Sequence, residues 1–235
     1  MIISGLMKTT LLDFPGRVAC TVFTSGCNYR CPFCHNSDLL EFGTEAEYTE
    51  EQIFEFLKKR GATLEGVAIT GGEPTLQKDL PDFIRRVKDM GLLVKLDTNG
   101  INPGMVRELI SEGLPDYIAM DIKAAPENYG KVCGVSPADV HIENITRTKD
   151  LLLEGRVPYE FRTTVVGGLH SVEDFEKIGP FIEGAEKYFI QCYKDSGNIL
   201  DKEAGFYSPE KDDLILYRDM AAPFVKEVSI RGVDL

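Results

Sequence analysis

The sequence predicts an α/β fold: a partial (β/α)6 TIM-like barrel, formed as one domain over residues 1–235. Short apolar runs alternate with longer amphipathic stretches, which is typical of βα units repeated around a parallel sheet. A complete eight-unit barrel takes about 250 residues, and two long connections in this chain leave room for about six units. The predicted strands span residues 18–24, 66–70, 92–97, 117–122, 159–166 and 188–193, with a further strand at 227–231.

Capping signals predict where helices begin between these strands. The predicted caps are Thr49 with Gln52 as a capping box, Asn102-Pro103, Ser136-Pro137 and Ser208-Pro209. One face of the second helix repeats apolar residues at helical spacing and is assigned to the core. That face consists of Leu80, Phe83, Ile84 and Val87. Gly179-Pro180 is expected to break or end the fifth helix, because proline lacks the backbone donor of a helix interior.

Composition argues against several classes of function. The net charge is −12, from 26 basic and 38 acidic residues, whereas nucleic-acid binding requires clustered positive charge. No apolar run approaches the roughly 20 residues that span a membrane, and residues 1–10 lack the pattern of a signal peptide. We therefore expect a cytoplasmic protein with neither a nucleic-acid nor a membrane partner.

Cys27, Cys31 and Cys34 form a C-x3-C-x2-C motif, the pattern that carries the most chemistry. Cysteine thiolates are the usual ligands of iron–sulfur clusters, and an ordinary [4Fe–4S] site uses four of them. Three leave one iron with an open position at which a small molecule can bind. The alternative is a structural zinc site with His35 as the fourth ligand, although such sites usually separate their ligand pairs by longer loops.

Other residues around this motif have two interpretations each. Phe33 can shield a cluster from water or pack in the core. The scattered Cys20, Cys133 and Cys192 are assigned as buried small hydrophobic residues, with a second cluster as the alternative.

Polar and glycine-rich residues follow the carboxyl ends of the predicted strands, where active sites of βα barrels gather. They are Thr70-Gly71-Gly72-Glu73-Pro74, Asp97-Thr98-Asn99-Gly100, Asp121-Ile122-Lys123 and Arg162. Gly71-Gly72 would let the backbone approach a ligand closely, or would form a tight strand-to-helix turn.

These motifs resemble those of radical S-adenosylmethionine (SAM) enzymes. C-x3-C-x2-C with an aromatic residue before the last cysteine is the superfamily's signature. Leu12-Asp13-Phe14-Pro15-Gly16, Gly26-Cys27-Asn28 and Cys34-His35-Asn36 are similar to the activating enzymes of glycyl radical proteins. Pyruvate formate-lyase activating enzymes usually carry Asp-Gly-Pro-Gly where this chain has residues 13–16, so the chain departs from that branch of the family.

The resemblance implies roles for the strand-end residues. Gly71, Gly72, Glu73 and Pro74 match a Gly-Gly-Glu-Pro motif that holds the SAM amino group, and Glu73 would help orient the methionine moiety. Asp97 matches a contact to the amino group, Asp121 a contact to the ribose, and Lys123 a lysine that pairs with the SAM carboxylate. Arg162 would lie near Lys123 or pair with Glu73, with a buried ion pair as the alternative. Thr98, Asn99, Phe33 and His35 complete the expected cofactor-binding set.

Three further expectations come from the resemblance. Asp97, Thr98, Asp121 and carbonyls near Met120 resemble a monovalent-cation site. Asp13 would touch an incoming substrate loop, or would be a turn residue before Pro15-Gly16. Related activases have a histidine on the sixth strand that reaches the SAM ribose, whereas this chain reads Gln191-Cys192-Tyr193-Lys194 there.

The implied function is activation of a glycyl radical enzyme, with anaerobic ribonucleotide reductase as the expected partner. A reduced [4Fe–4S] cluster would cleave SAM to methionine and a 5′-deoxyadenosyl radical, which would take a hydrogen atom from a glycine α-carbon. Flavodoxin or ferredoxin is the expected electron donor, because the cluster needs a low potential. Alternatives are a pyruvate formate-lyase-type activase, a small-molecule enzyme similar to 7-carboxy-7-deazaguanine synthase, and a non-catalytic electron carrier.

Overall fold

The computed structural model describes residues 1–61, 63–195 and 197–233. These ranges contain eight strands and seven α-helices, which alternate from β2 onward except that α4 and α5 both lie between β5 and β6. The strands are β1 (Ile3–Thr10), β2 (Ala19–Thr24), β3 (Gly66–Gly71), β4 (Leu93–Thr98), β5 (Tyr117–Asp121), β6 (Tyr159–Val165), β7 (Lys187–Cys192) and β8 (Glu227–Arg231). The helices are α1 (Glu50–Arg60), α2 (Leu80–Asp89), α3 (Pro103–Ser111), α4 (Tyr129–Cys133), α5 (Ile142–Leu153), α6 (Val172–Phe181) and α7 (Lys211–Ala221).

The predicted α/β class is confirmed. Strand order in the sheet follows chain order from β1 to β8, and six βα units follow one another from β2 to α7. All seven predicted strands are present, each within two residues of its predicted bounds. β1 was not predicted, because it is an edge strand with three consecutive exposed residues and so lacks a regular alternation. It pairs antiparallel with β2.

Two predicted helix starts are confirmed by their hydrogen bonds. Thr49 and Gln52 form the capping box of α1. Asn102 caps α3 by accepting a hydrogen bond from the Met105 amide at 3.2 Å. The apolar face of α2 is fully buried, as predicted, and α6 ends one residue after Pro180.

The other two predicted caps need correction. Ser136 precedes only a short 3-10 turn over Pro137–Asp139, and its hydroxyl bonds Asp139 at 2.6 Å rather than the backbone of a helix. The Ser208 hydroxyl donates instead to the Tyr193 carbonyl at 2.7 Å, and α7 begins only at Lys211. In both cases a side-chain acceptor or a distant carbonyl competes with the helix end for the hydroxyl.

The chain divides into two compact units, which are described separately below. The first unit comprises Met1–Asn28, Asp38–Ala119 and Arg156–Pro158. The second comprises Tyr29–Ser37, Met120–Gly155 and the chain from Tyr159 onward. A single domain over the whole chain stays a prediction.

In the first unit, β2, β3 and β4 are parallel and buried, so their carboxyl ends lie at one edge. Thr21, Ala68 and Lys95 are level with one another across the three strands. In the second unit, β6, β7 and β8 are parallel, and the Ile122 amide after β5 donates to the Arg162 carbonyl at 2.8 Å. Among the described residues, no helix is long and apolar enough to cross a membrane.

Candidate cofactor site

Cys27 follows the carboxyl end of β2 and is held through the backbone in the first unit. The amides of Gly26 and Cys27 donate to the carbonyls of Leu39 and Leu40 at 2.8 and 3.0 Å. The Cys27 side chain is buried. The backbone therefore fixes this thiol without using its sulfur.

Asn99, which directly follows β4, contacts the Cys27 sulfur through its side-chain amide. Its Nδ2 lies 3.8 Å from Cys27 Sγ and 3.0 Å from Asn28 Oδ1, while its Oδ1 accepts from the Ile101 amide at 3.0 Å. A hydrogen bond to a ligand sulfur is one of the factors that set the potential of a cluster. Asn99, expected among the cofactor-binding residues, thus contacts a predicted cluster ligand directly.

Gly71 and Gly72 pack against the loop that leads to Cys27. Gly71 has φ +120°, and a Cβ there would lie 2.2 Å from the Thr24 carbonyl oxygen. A Cβ on Gly72 would lie 2.3 Å from the Gly26 carbonyl oxygen. These distances support the tight-turn interpretation of the pair, because any side chain would push the two loops apart. Contact with SAM stays a prediction.

Glu73 joins the ends of β3 and β4 through a buried carboxylate. Oε1 accepts from the Thr75 amide at 3.0 Å and the Thr98 hydroxyl at 2.7 Å, and Oε2 accepts from the Asn99 amide at 2.6 Å. Burial raises the pKa of Glu73, while these hydrogen bonds oppose the rise. Pro74 begins the 3-10 turn that follows. Within the first unit, Glu73 therefore positions the Thr98-Asn99 loop.

Asp97 forms an ion pair that the sequence did not predict. The Lys95 ammonium, on the same strand, donates to Asp97 Oδ1. The side chain of Lys95 is 2% exposed and that of Asp97 is 17% exposed. Alternate residues of a strand point to the same face, which explains the pairing of positions two apart. Lys95 was missed because a lysine within an apolar strand gives no sign of its partner.

Cys31 and Cys34 belong to the second unit, where a further cysteine, Cys133, lies beside Cys31. The Cys34 amide donates to the Cys31 carbonyl at 3.0 Å, and the Arg30 amide donates to the Cys133 carbonyl at 2.9 Å. A hydrogen bond with the Cys133 thiol lowers the pKa of Cys31, while burial raises that of Cys34. The assignment of Cys133 as a buried residue agrees with its full burial. Its contact with Cys31 was not foreseen.

Lys123, Asp121 and Arg162 form a half-buried ion cluster in the second unit. Lys123 Nζ lies 2.8 Å from Asp121 Oδ2, and Arg162 Nη2 lies 2.9 Å from Oδ1. Burial alone would raise the pKa of Asp121, but the two cations outweigh it and lower that pKa to about 2. The negative charges of Asp121 and Cys31 overcome the effect of burial and raise the pKa of Lys123. Arg162 and Lys123 thus bond the same carboxylate, an arrangement that agrees with the ion-pair alternative, and a role for Arg162 in binding the cofactor stays a prediction.

His35 and Tyr193 contact each other in the second unit, with ring centroids 5.6 Å apart. Burial lowers the pKa of His35, which favours the neutral ring. Tyr193 follows β7 and is fully buried, yet its hydroxyl has no hydrogen-bond partner in the part of the chain that the structure describes. A buried, unpaired hydroxyl is costly, so it indicates a site for a ligand or a water. Tyr193 directly follows the strand in which the family resemblance implies a histidine.

Asp13 lies before β2, at the opposite end of that strand from Cys27. Its carboxylate accepts from the Thr21 hydroxyl, and its amide donates to the Thr10 hydroxyl at 3.2 Å. These bonds support the interpretation of Asp13 as a turn residue. Contact with a substrate loop stays a prediction.

The donor set fits an iron–sulfur cluster. Cys27 and Cys31 each have a hydrogen-bond donor at the sulfur. Phe33, which lies between Cys31 and Cys34 in the sequence, has a buried side chain. In the described part of the chain, no group of three or more His, Cys, Asp or Glu side chains is arranged to hold a single metal ion. In a cluster each thiolate binds its own iron, so the thiols need not converge on one point.

Each unit has one buried donor that a polar organic ligand could satisfy. In the first unit, Asn28 Nδ2 has no hydrogen-bond partner among the described residues, and in the second unit the same holds for the Tyr193 hydroxyl. Each of these groups can donate a hydrogen bond. Sequence reasoning missed these two residues, and only the Cys27-Asn28 string hinted at the first.

Comparisons with known proteins point to a single family for this chain. The profile of the radical SAM superfamily matches residues 21–179. A Methanocaldococcus jannaschii protein, named as a candidate glycyl-radical enzyme activating enzyme, is 32% identical over 99% of this chain and 97% of its own length. The pyruvate formate-lyase-activating enzyme of Clostridium pasteurianum is 32% identical over 52% of each chain.

A solved structure supports the same fold. A radical SAM methyltransferase from Sphaerobacter thermophilus superposes with a TM-score of 0.72 and 15% sequence identity, covering 93% of this chain and 67% of that one. At this identity the likeness concerns the fold alone.

Proposed function

This chain belongs to the radical SAM superfamily, and from that premise we propose that it activates a glycyl radical enzyme, with anaerobic ribonucleotide reductase as the partner. Members of the superfamily use a [4Fe–4S] cluster and SAM. The observation that carries the proposal is the match to the Methanocaldococcus jannaschii protein, which extends over 99% of this chain. A likeness over nearly the whole length includes the parts of the chain outside the cysteine motif.

In the proposal, Cys27, Cys31 and Cys34 hold the cluster. Asn99 donates to the Cys27 sulfur, and Cys133 donates to the Cys31 sulfur. Both bonds favour added negative charge on the sulfur atoms, because a hydrogen bond to a charged acceptor is stronger. The residues around the cluster therefore ease its reduction.

The strand-end residues bind and orient SAM in the same proposal. Lys123 carries a stable positive charge for the SAM carboxylate, because Asp121 holds its ammonium in the charged form. Arg162 keeps the Asp121 carboxylate in place. Glu73 acts through the Thr98-Asn99 loop that it holds, and Asp97 takes the amino group.

When bound, the cluster and SAM supply an electron and the 5′-deoxyadenosyl radical that takes a hydrogen atom from a glycine α-carbon. The chain's own residues supply binding, orientation and exclusion of water. We include flavodoxin or ferredoxin as the electron donor, and a cytoplasmic, anaerobic setting, because a low-potential cluster is readily oxidised.

The test combines the cluster-loaded enzyme, SAM and a reductant with candidate glycyl radical enzymes under anaerobic conditions. We expect 5′-deoxyadenosine in solution and an electron paramagnetic resonance doublet from a glycyl radical on the reductase. The Cys27→Ala variant serves as the control that cannot hold the cluster, and it should give neither signal.

Other results would change the assignment in defined ways. A doublet only on pyruvate formate-lyase would make that enzyme the partner in place of the reductase, and the activase function would stand. 5′-Deoxyadenosine without a glycyl radical on any candidate would indicate a small-molecule substrate. A loaded cluster that yields no 5′-deoxyadenosine would contradict the enzymatic proposal itself.

A further inference from the structure

The Lys95 ammonium is a buried charge inside the first unit. The side chain is 2% exposed in the middle of β4, where it lies level with Ala68 and Thr21 of the neighbouring strands. Lysine is rarely buried unless it is paired, because the ammonium loses its hydration. Its partner is Asp97 Oδ1. Strand β4 thus contains both the Asp97 carboxylate near its carboxyl end and the Lys95 ammonium that balances its charge.

This pairing conflicts with the monovalent cation that the family resemblance implied. Such an ion would need the charge of Asp97, which already faces an ammonium within the first unit. The other expected carboxylate, Asp121, is bonded by Lys123 and Arg162 within the second unit. Like charges repel strongly in a low-dielectric interior, so an added cation would be opposed at either carboxylate. The residues present do not fit a metal cation.

We propose that the Lys95 ammonium replaces a monovalent cation beside Asp97 and positions this carboxylate for the SAM amino group. An ammonium and a potassium ion each carry one positive charge, but the ammonium is tethered to the strand and cannot dissociate. A carboxylate has about four acceptor positions, so a neutral amino group can donate to Asp97 beside Lys95 without adding a charge, whereas a metal ion cannot. Lys95 is thus a positioning residue, and the inference rests on the proposed contact of Asp97 with SAM.

The first test needs no variant. SAM binding to the cluster-loaded wild-type enzyme, with the cluster oxidised, is measured by anaerobic calorimetry in potassium, sodium or choline chloride at equal ionic strength. Choline is too large to enter a metal site. We expect dissociation constants that agree within about twofold, which corresponds to a negligible binding term. An affinity about tenfold tighter in potassium than in choline would overturn the proposal.

The second test removes the charge. In choline, Lys95→Met should bind SAM at least about tenfold more weakly, the effect of losing one ion pair at a ligand site, and potassium should recover part of that loss. Potassium should also raise the unfolding temperature of the variant more than that of the wild type. The exposed Lys59 of α1 provides the matched control, since Lys59→Met should change neither quantity.

Lys95→Arg provides a second variant in case Lys95→Met does not fold. It keeps the positive charge and should therefore bind SAM without potassium. If Lys95→Met folds and binds SAM like the wild type in choline, the proposal is wrong. These measurements record SAM binding alone, so they are independent of whether the partner is a glycyl radical enzyme.

Discussion

The side-chain amide of Asn99 donates a hydrogen bond to the Cys27 sulfur, with Nδ2 3.8 Å from Sγ. Glu73 Oε2 accepts a hydrogen bond from the Asn99 backbone amide at 2.6 Å. The loops after β3 and β4 are therefore both connected to the Cys27 thiol. The Gly-Gly-Glu-Pro segment therefore influences the cysteine loop through Asn99 as well as through its own contacts.

Asn99→Leu should make the reduction potential of the cluster more negative. Leucine has a similar size but no donor, so the added electron loses a hydrogen bond to a ligand sulfur. An electron paramagnetic resonance titration against dyes of known potential measures the change, and iron content should remain that of the wild type. An unchanged potential at full iron content would show that the Asn99 bond does not act on the cluster.

Replacing cysteines one at a time should separate ligands from neighbours. Cys27→Ala, Cys31→Ala and Cys34→Ala should abolish cluster loading, because the motif has no spare thiolate. Cys133→Ala should still load, since in our proposal Cys133 donates to a ligand rather than binding iron, and Cys192→Ala is its control. Iron and sulfide analysis gives the result. Failure of Cys133→Ala to hold iron would make Cys133 a ligand.

Glu73→Gln should destabilise the folded protein by about 1–3 kcal/mol, the cost of a buried polar group left without a partner. The glutamine amide would face the Asn99 amide, and both are donors. Urea unfolding of the protein measures the difference, with the exposed Glu55→Gln of α1 expected to stay within about 0.5 kcal/mol. Equal stability of the two variants would remove Glu73 from its positioning role.

Tyr193→Phe should leave stability unchanged or slightly higher, because the hydroxyl is buried without a hydrogen bond to any described residue. The same variant should weaken SAM binding several-fold if this hydroxyl meets the cofactor. Thermal unfolding and calorimetry separate the two effects. A clear loss of stability would mean that the hydroxyl is satisfied in the folded protein, and unchanged affinity would exclude a SAM contact.

Acid should destabilise the protein partly through Asp121, whose pKa falls from 3.8 to about 2 on folding. A carboxyl with a lowered folded pKa contributes stability above its unfolded pKa and loses that contribution as the pH falls through its folded pKa. Asp121→Asn should therefore be less stable than the wild type at neutral pH, with a shallower decline between about pH 4 and 2. Urea unfolding across this window measures the slopes, and replacement of the exposed Asp212 of α7 by asparagine should keep the wild-type slope.

Much of the fold was predictable because its signals are local. The strands have apolar runs. At the starts of α1 and α3, the capping side chain bonds a backbone amide only three positions later in the sequence. Ser208 shows the limit of such signals, since its hydroxyl bonds a carbonyl 15 residues away in the sequence. A cap cannot be distinguished from a competing long-range contact until the partner is known.

By itself, the sequence determined which chemistry is possible: a C-x3-C-x2-C motif at a strand end, and carboxylates, glycines and a lysine at the ends of its neighbours. Tertiary structure alone decided how those groups are paired. It placed Lys95 against Asp97, Cys133 against Cys31, and the Tyr193 hydroxyl in a buried position where no described residue bonds it. Spacing along the chain predicts which residues share a strand, whereas burial and charge pairing depend on what packs around each side chain.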